Sequence, residues 1–131
     1  MPESIRTIQP DDLFNMQFLN GGKFSPDGTK IAYYVNHVDT DKDKELSTIY
    51  VTEYTTGSSR QMTNGKAKDA NPKWSPDGKS IAFSSTRNGK PQLFLLPIDG
   101  GEAHQLTDLK QGVGDFAWSP DGSKIAFTAG P

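Results

Sequence analysis

The residue types that could do chemistry in this chain recur at fixed spacings. Serine and aspartate stand two positions apart in three copies of Ser-Pro-Asp-Gly, which are Ser25, Pro26, Asp27 and Gly28; Ser75, Pro76, Asp77 and Gly78; and Ser119, Pro120, Asp121 and Gly122. A nucleophilic serine needs a base and an oxyanion hole, and repetition in every unit favours a structural role instead. The sequence also contains no Gly-x-Ser-x-Gly nucleophile elbow. We therefore interpret these twelve residues as a repeated turn and expect no catalytic residue in the chain.

Three aspartates alternate in the stretch 39–45, as they do in calcium-binding loops: Asp39, Asp41 and Asp43. Such a loop needs glycine at its sixth position and glutamate at its twelfth, and these positions hold Lys44 and Tyr50. The interleaved lysines also weaken the attraction for a cation. We interpret the stretch as a solvated hairpin insertion that could contact a neighbouring domain or subunit.

Histidine and cysteine chemistry has little support. His37 and His104 lie 67 residues apart without a paired carboxylate motif, so we expect both at the surface. The chain has no cysteine, which excludes disulfides, thiolate metal sites and thiol catalysis. We expect neither a metal nor another cofactor.

Charge and hydropathy exclude two classes of partner. The formal net charge is −2 and 23% of the residues are charged, so no basic field favours nucleic acid. No apolar run approaches the ~18 residues of a membrane span, and the opening MPESIRTIQPDD is too polar for a secretory signal. We expect a cytoplasmic protein that binds neither nucleic acid nor membrane.

The turns belong to a longer repeat. Ser75 and Ser119 are 44 residues apart, and three other landmarks keep the same spacing: Ile49-Tyr50-Val51 with Leu93-Phe94-Leu95, Gly57 with Gly101, and Arg60-Gln61-Met62-Thr63 with His104-Gln105-Leu106-Thr107. Ser25 and Ser75 are instead 50 apart, because the first copy carries six extra residues between Tyr33 and Ile49.

Each unit is predicted to form four short strands around this turn. An aromatic residue (Phe24, Trp74, Trp118) leads into the turn, and the second strands follow at 30–35, 80–85 and 124–129. In these strands Ile and an aromatic residue share one face and Ala occupies the other, as a sheet between two neighbouring sheets requires. The third strands are 48–54 and 92–98, and the fourth are 60–63 and 104–107. We therefore predict an all-β fold of four-stranded antiparallel β-propeller blades, in preference to a β-sandwich with similar hairpins.

The repeat divides the chain into 1–20, an N-terminal segment with a short helix; 21–64, blade one; 65–108, blade two; and 109–131, half of blade three. Pro10, Asp11 and Asp12 suit the first helical turn, and Leu13 and Met16 supply an apolar stripe. Propellers close with about four to eight blades, so two and a half blades cannot close. We expect either part of a longer propeller or a chain that closes by homo-oligomerisation through its open blade edges.

The hairpin SPDG-x-x-IA-[YF], followed by [IL]-[YF]-[VL] and [QM]LT, resembles the propeller repeats of TolB and of the prolyl oligopeptidase family. The stretch IQPDDLFNMQFLNGGKFSPDGTKIAYYV (8–35) is similar to the opening of acylaminoacyl-peptidase-type members of that family. The resemblance covers nearly the whole chain. It implies a non-catalytic propeller that caps an α/β-hydrolase domain and filters peptide substrates by size.

In that family the catalytic triad lies in the hydrolase domain, so the resemblance implies no enzyme activity for this chain. The partner that it implies is the α/β-hydrolase domain of a parent serine peptidase, or further propeller blades. Two alternatives stay open. A TolB-like scaffold would dock partner proteins and would be expected to carry a secretory signal, and a short chain could close a ring from several copies.

Overall fold

The computed structural model describes residues 20–39 and 44–129, and it contains only strands and turns there. The first sheet holds β1 (Asn20–Phe24), β2 (Lys30–Asp39), β3 (Lys44–Glu53) and β4 (Ser59–Gln61). The second holds β5 (Asp69–Trp74), β6 (Ser80–Ser85), β7 (Gln92–Pro97) and β8 (His104–Gln105), and the third holds β9 (Val113–Trp118) and β10 (Ile125–Ala129). The predicted N-terminal helix lies outside the described residues.

Strands that follow one another in sequence pair antiparallel in all three sheets, in the orders β1-β2-β3-β4, β5-β6-β7-β8 and β9-β10. This architecture is all-β and matches part of a β-propeller, as the repeat predicts. The six extra residues of the first copy lengthen its central hairpin, in which β2 and β3 pair from Lys30↔Glu53 to Asp39↔Lys44. In the residues described, no helix has the length and apolarity to cross a membrane.

The sheets stack by placing the small face of one against the bulky face of the next. Ala32 and Ala82 are fully buried, although each lies in the middle of a β-strand with an aromatic residue beside it. Their faces receive a tryptophan or phenylalanine and an aliphatic side chain from the following sheet. The two interface clusters are Ala32, Val51, Trp74 and Ile81, and Ala82, Leu93, Val113 and Phe116. The alternation of Ile and Ala in the second strands therefore sets which face each sheet offers to its neighbour.

The leading tryptophans also join neighbouring sheets by hydrogen bonds. The indole N–H of Trp74 donates to the backbone oxygen of Lys23 at 2.9 Å, and that of Trp118 donates to the backbone oxygen of Lys73 at 3.1 Å. The turns stack as well, because the position of a Cβ on Gly78 lies 3.6 Å from Pro26 of the preceding turn. The same contact recurs one sheet later.

Two of the six aromatic residues that their positions in the repeat predict to pack between blades do not do so; the six are Phe24, Tyr33, Trp74, Phe83, Trp118 and Phe127. Phe24 is 50% exposed and Phe127 is 43% exposed, whereas Trp74, Tyr33 and Phe83 are buried. Phe24 ends β1 of the first sheet, which has no preceding sheet in the described residues, and Phe127 lies on β10, which has no third-strand partner there. Their exposure therefore follows from their places at the two ends of the stack.

Candidate functional site

Each of the three Ser-Pro-Asp-Gly turns contains the same pattern of hydrogen bonds. An oxygen of each aspartate accepts the serine hydroxyl at 2.6–2.7 Å, in the pairs Ser25–Asp27, Ser75–Asp77 and Ser119–Asp121. The same oxygen accepts the backbone N–H two residues further on at 2.9–3.0 Å. The serine oxygen in turn accepts the backbone N–H five residues after it, at 3.0–3.1 Å. The glycines adopt φ values of +75°, +74° and +76°, which only glycine adopts without strain. We call Asp27, Asp77 and Asp121 the turn carboxylates.

This network keeps the turn carboxylates ionised. The hydroxyl of Ser25 holds the pKa of Asp27 well below its usual range, with a further contribution from the backbone N–H of Thr29. The Ser75 hydroxyl lowers the pKa of Asp77 in the same way. The backbone N–H of Ser123 and the hydroxyl of Ser119 lower the pKa of Asp121 to about 2. Each carboxylate is thus an acceptor that closes a turn, and it is poorly suited to proton transfer near neutral pH.

The other side chains considered for chemistry stay apart from these turns. His37 lies on β2, exposed, with its Nε2 3.2 Å from the Thr48 hydroxyl oxygen, and His104 is exposed at the start of β8. No histidine hydrogen-bonds to a turn serine within residues 20–39 and 44–129. Nor does that part of the chain hold a group of three or more His, Cys, Asp and Glu side chains arranged to bind a metal. Of the alternating aspartates, Asp41 and Asp43 lie outside the described residues.

An ion pair that the sequence did not reveal lies at the seam between the first two sheets. The turn sequence Arg87-Asn88-Gly89-Lys90 predicts solvated basic flanks, but the Nη2 of Arg87 lies 3.4 Å from Oδ2 of Asp69. Its guanidinium also stands 5.4 Å and 4.9 Å from the ring centroids of Phe83 and Phe94. Asp69 is fully buried, and its Oδ1 has no hydrogen-bond partner in the described part of the chain. One signal for this pair was available in the sequence. The residue 44 positions after Asp69 is Val113, so the repeat itself does not require an acidic residue at that position.

An apolar groove lies between the second sheet and the two strands of the third. Its volume is about 360 Å³, within the range of ligand-binding clefts. Phe127 and Leu106, 43% and 45% exposed, are its most accessible large side chains. We define the half-blade groove by its large side chains, Leu93, Leu95, Leu106, Trp118, Ile125 and Phe127. Most of the side chains that line it are apolar.

Comparison with known proteins places these features in a family. The family model of the TolB beta propeller domain matches residues 3–130. The chain is 40% identical over 98 residues to the uncharacterized peptidase YuxL of Bacillus subtilis. The match covers 74% of this chain and 15% of that protein. The chain thus spans a small part of the curated relative that it matches.

Solved structures agree on the fold. TolB from Acinetobacter baumannii superposes with a TM-score of 0.71 at 29% identity, over 87% of this chain and 27% of that one. The acylaminoacyl peptidase of Pyrococcus horikoshii has a TM-score of 0.67 over 82% of this chain and 16% of that one. At 21% identity the latter likeness concerns the fold alone. The resemblance to TolB and to peptidase propellers is confirmed, and the chain belongs to the TolB beta propeller domain family.

Proposed function

We propose that the chain is a non-catalytic, N-terminal part of the β-propeller that gates substrate access in a serine peptidase of the prolyl oligopeptidase family. The observation that carries the proposal is the 40% identity to a peptidase, spread over 74% of the chain. That peptidase is much longer than the match, which leaves room for a catalytic domain in a parent protein. The partner of this chain would be that α/β-hydrolase domain, together with further blades.

The geometry of the described residues suits a structural barrier to substrates better than a reaction centre. The serines that resemble nucleophiles are hydrogen-bonded within their turns, and the stacked sheets are joined by indole hydrogen bonds and apolar clusters. A propeller of this kind acts by limiting which substrates reach a site elsewhere. Substrate size, and not bond chemistry, is what it would select.

The test uses the parent peptidase and two substrates, a short chromogenic peptide and a long unfolded polypeptide. Trp74→Ala removes the indole at the first seam, and we expect it to raise cleavage of the long substrate relative to the short one. The exposed Lys110→Ala serves as the matched control and should leave the ratio unchanged. An unchanged ratio in a Trp74→Ala enzyme that is still folded would contradict gating, and hydrolysis by the isolated chain would contradict the non-catalytic assignment.

A TolB-like scaffold that docks partner proteins is the second candidate. It is favoured by the superposition on TolB over 87% of the chain. The two functions differ in the parent protein, because a serine peptidase reacts covalently with a fluorophosphonate probe at its nucleophile. Labelling of the folded parent would support the peptidase, and its absence would favour the scaffold.

A further inference from the structure

We propose that Met62 is a methionine-oxidation site whose modification loosens the seam between the first two sheets. A peroxide that reaches its thioether sulfur converts the side chain to the sulfoxide and weakens the contacts between those sheets. The inference goes beyond the proposed function, because it concerns the stability of this chain and not the access of substrates. Both sheets at this seam have four strands in the described residues, so no further blade is needed to form the site.

Met62 joins the two apolar clusters of this seam. It directly follows β4, and its backbone N–H donates to the carbonyl oxygen of Ile49 at 2.7 Å. Its side chain packs against both clusters, which are Ala32, Val51, Trp74 and Ile81, and Ile49, Phe83, Phe94 and Leu96. One flexible side chain therefore fills the space between two groups of buried residues.

The side chain is accessible from solvent in spite of this packing. Met62 is only partly buried, and it lines a cleft of about 310 Å³ that also borders Thr63, Asn64 and Glu102. Water can enter a polar space of this size, and hydrogen peroxide is only slightly larger. Because the oxidation of methionine follows exposure, we expect Met62 to react in the folded chain.

Arg60 connects the sulfur to the second sheet. Its Nε donates to the Met62 Sδ at 3.4 Å, and its Nη2 donates to the backbone oxygen of Ile98, which follows β7. A thioether sulfur is a weak acceptor, whereas the oxygen of a sulfoxide is polar and accepts more strongly. Arg60 is therefore placed to bond the new oxygen, and that bond competes with the one that it makes across the seam.

The reaction is a two-electron oxidation by hydrogen peroxide. A lone pair of the thioether sulfur attacks one peroxide oxygen, the O–O bond breaks, and hydroxide leaves. The proton on the transferred oxygen then passes to the hydroxide, so the products are the sulfoxide and water. The sulfur is oxidised and the peroxide is reduced. The new polar group lies among apolar side chains, which raises the free energy of the folded chain.

The repeat supplies a matched control for this residue. The residue 44 positions after Met62 is Leu106, which has no sulfur to oxidise. Met62→Leu thus introduces the residue that the second sheet carries at the equivalent position and keeps the packing apolar. The other methionines, Met1 and Met16, lie outside the described residues and stay present in both chains.

The first measurement is the rate of oxidation. The 131-residue chain is treated with hydrogen peroxide and digested with trypsin, which cleaves after Arg60 and Lys66 and releases QMTNGK. Met62 is the only methionine of that peptide, so its gain of one oxygen by mass spectrometry reports this residue alone. A synthetic QMTNGK peptide gives the rate at full exposure. We expect Met62 in the folded chain to react at no less than about one-tenth of that rate.

Urea unfolding measures the consequence. We expect oxidation to raise the equilibrium constant for unfolding by at least about tenfold, and we expect no change in Met62→Leu treated in the same way. Met62→Gln, which introduces a polar group without an oxidant, should show a rise in the same direction. Methionine sulfoxide reductases A and B together should return the oxidised chain to its original value, because each reduces one epimer of the sulfoxide.

Trp74 shows whether the change lies at this seam. In a Trp118→Phe chain Trp74 is the only tryptophan, and it belongs to one of the clusters that Met62 contacts. Its fluorescence emission in the absence of urea should move to longer wavelength on oxidation of Met62. Oxidation slower than the stated limit, an unchanged unfolding equilibrium, an equal change in treated Met62→Leu, or an unshifted emission of Trp74 would each overturn the proposal.

Discussion

Replacing Arg87 by methionine should lower the free energy of unfolding by about 3 kcal/mol, because the change leaves the Asp69 carboxylate buried without a counter-charge. Asp69 is fully buried, and Arg87 supplies the only side-chain donor to Oδ2 in the described residues. Methionine keeps an apolar side chain over the rings of Phe83 and Phe94, so the substitution removes the charge with little loss of packing. Breaking a buried pair costs about 3–5 kcal/mol, and the lower end applies here because the arginine side chain is 30% exposed.

Removing the other member of the pair, Asp69, should change the free energy of unfolding much less. Asp69→Val introduces the residue that the third sheet carries at the equivalent position, Val113, and it removes the carboxylate oxygen that has no partner. Arg87 then keeps its access to water and its contacts with the aromatic rings. We expect a change within about 1 kcal/mol, and the double variant Asp69→Val/Arg87→Met should resemble the single Asp69→Val, since a buried pair can often be replaced by apolar residues at little cost.

Urea unfolding followed by circular dichroism gives the free energies of unfolding of the native chain, the two single variants and the double variant. Lys110→Met, at an exposed position, controls for the loss of one surface charge. Losses of similar size in the two single variants would show that the ion pair itself stabilises the seam, which would refute the reasoning. An additive double variant would show that the two side chains are not coupled.

Three further predictions concern the seams and the turns. Trp74→Phe removes the hydrogen bond to the Lys23 carbonyl and should cost about 1–2 kcal/mol by urea unfolding, and an unchanged midpoint would show that the bond contributes nothing. Because the pKa of Asp121 falls from 3.8 to about 2 on folding, the unfolded chain takes up protons first as acid is added. Its stabilising contribution should be complete above about pH 5 and disappear toward pH 2, and Asp121→Asn should reduce, without abolishing, the slope of that part of a plot of unfolding midpoint against pH, because Asp27 and Asp77 still contribute. Gly112→Ala should cost at least about 2 kcal/mol, since φ is +79° and the new Cβ would lie 2.8 Å from a backbone oxygen. Gly22→Ala, with open space around it, should stay within about 0.5 kcal/mol when both variants are compared by urea unfolding.

The fold could be predicted because its cause is periodic. A four-stranded unit that buries both faces needs a turn at a fixed place and two apolar faces of different size, and both requirements appear in the residue order. Ala32 and Ala82 are buried against the next sheet as the alternation in their strands predicts. Small sets of residues that are close together in the chain determine these features, so they can be predicted from a single sequence.

Contacts between non-equivalent positions could not be predicted in this way. Arg87 stands in a polar turn sequence, and only its neighbours in space show that its side chain folds back over Phe83 and Phe94 toward Asp69. The exposure of Phe24 and Phe127 likewise depends on what lies beyond each end of the stack. A local pattern can show that a face is buried, but it does not show which side chains of another strand or loop will contact it.

By itself, then, the sequence determined the all-β repeat, its blade boundaries as a prediction and its likeness to TolB and peptidase propellers, because turn chemistry and strand alternation are written within a few residues. Only the tertiary structure decided how the sheets meet: the indole hydrogen bonds across each seam, the buried Asp69 beside Arg87, and the half-blade groove. These features arise where residues far apart in the chain exclude water together, and burial of that kind is a property of the packed molecule.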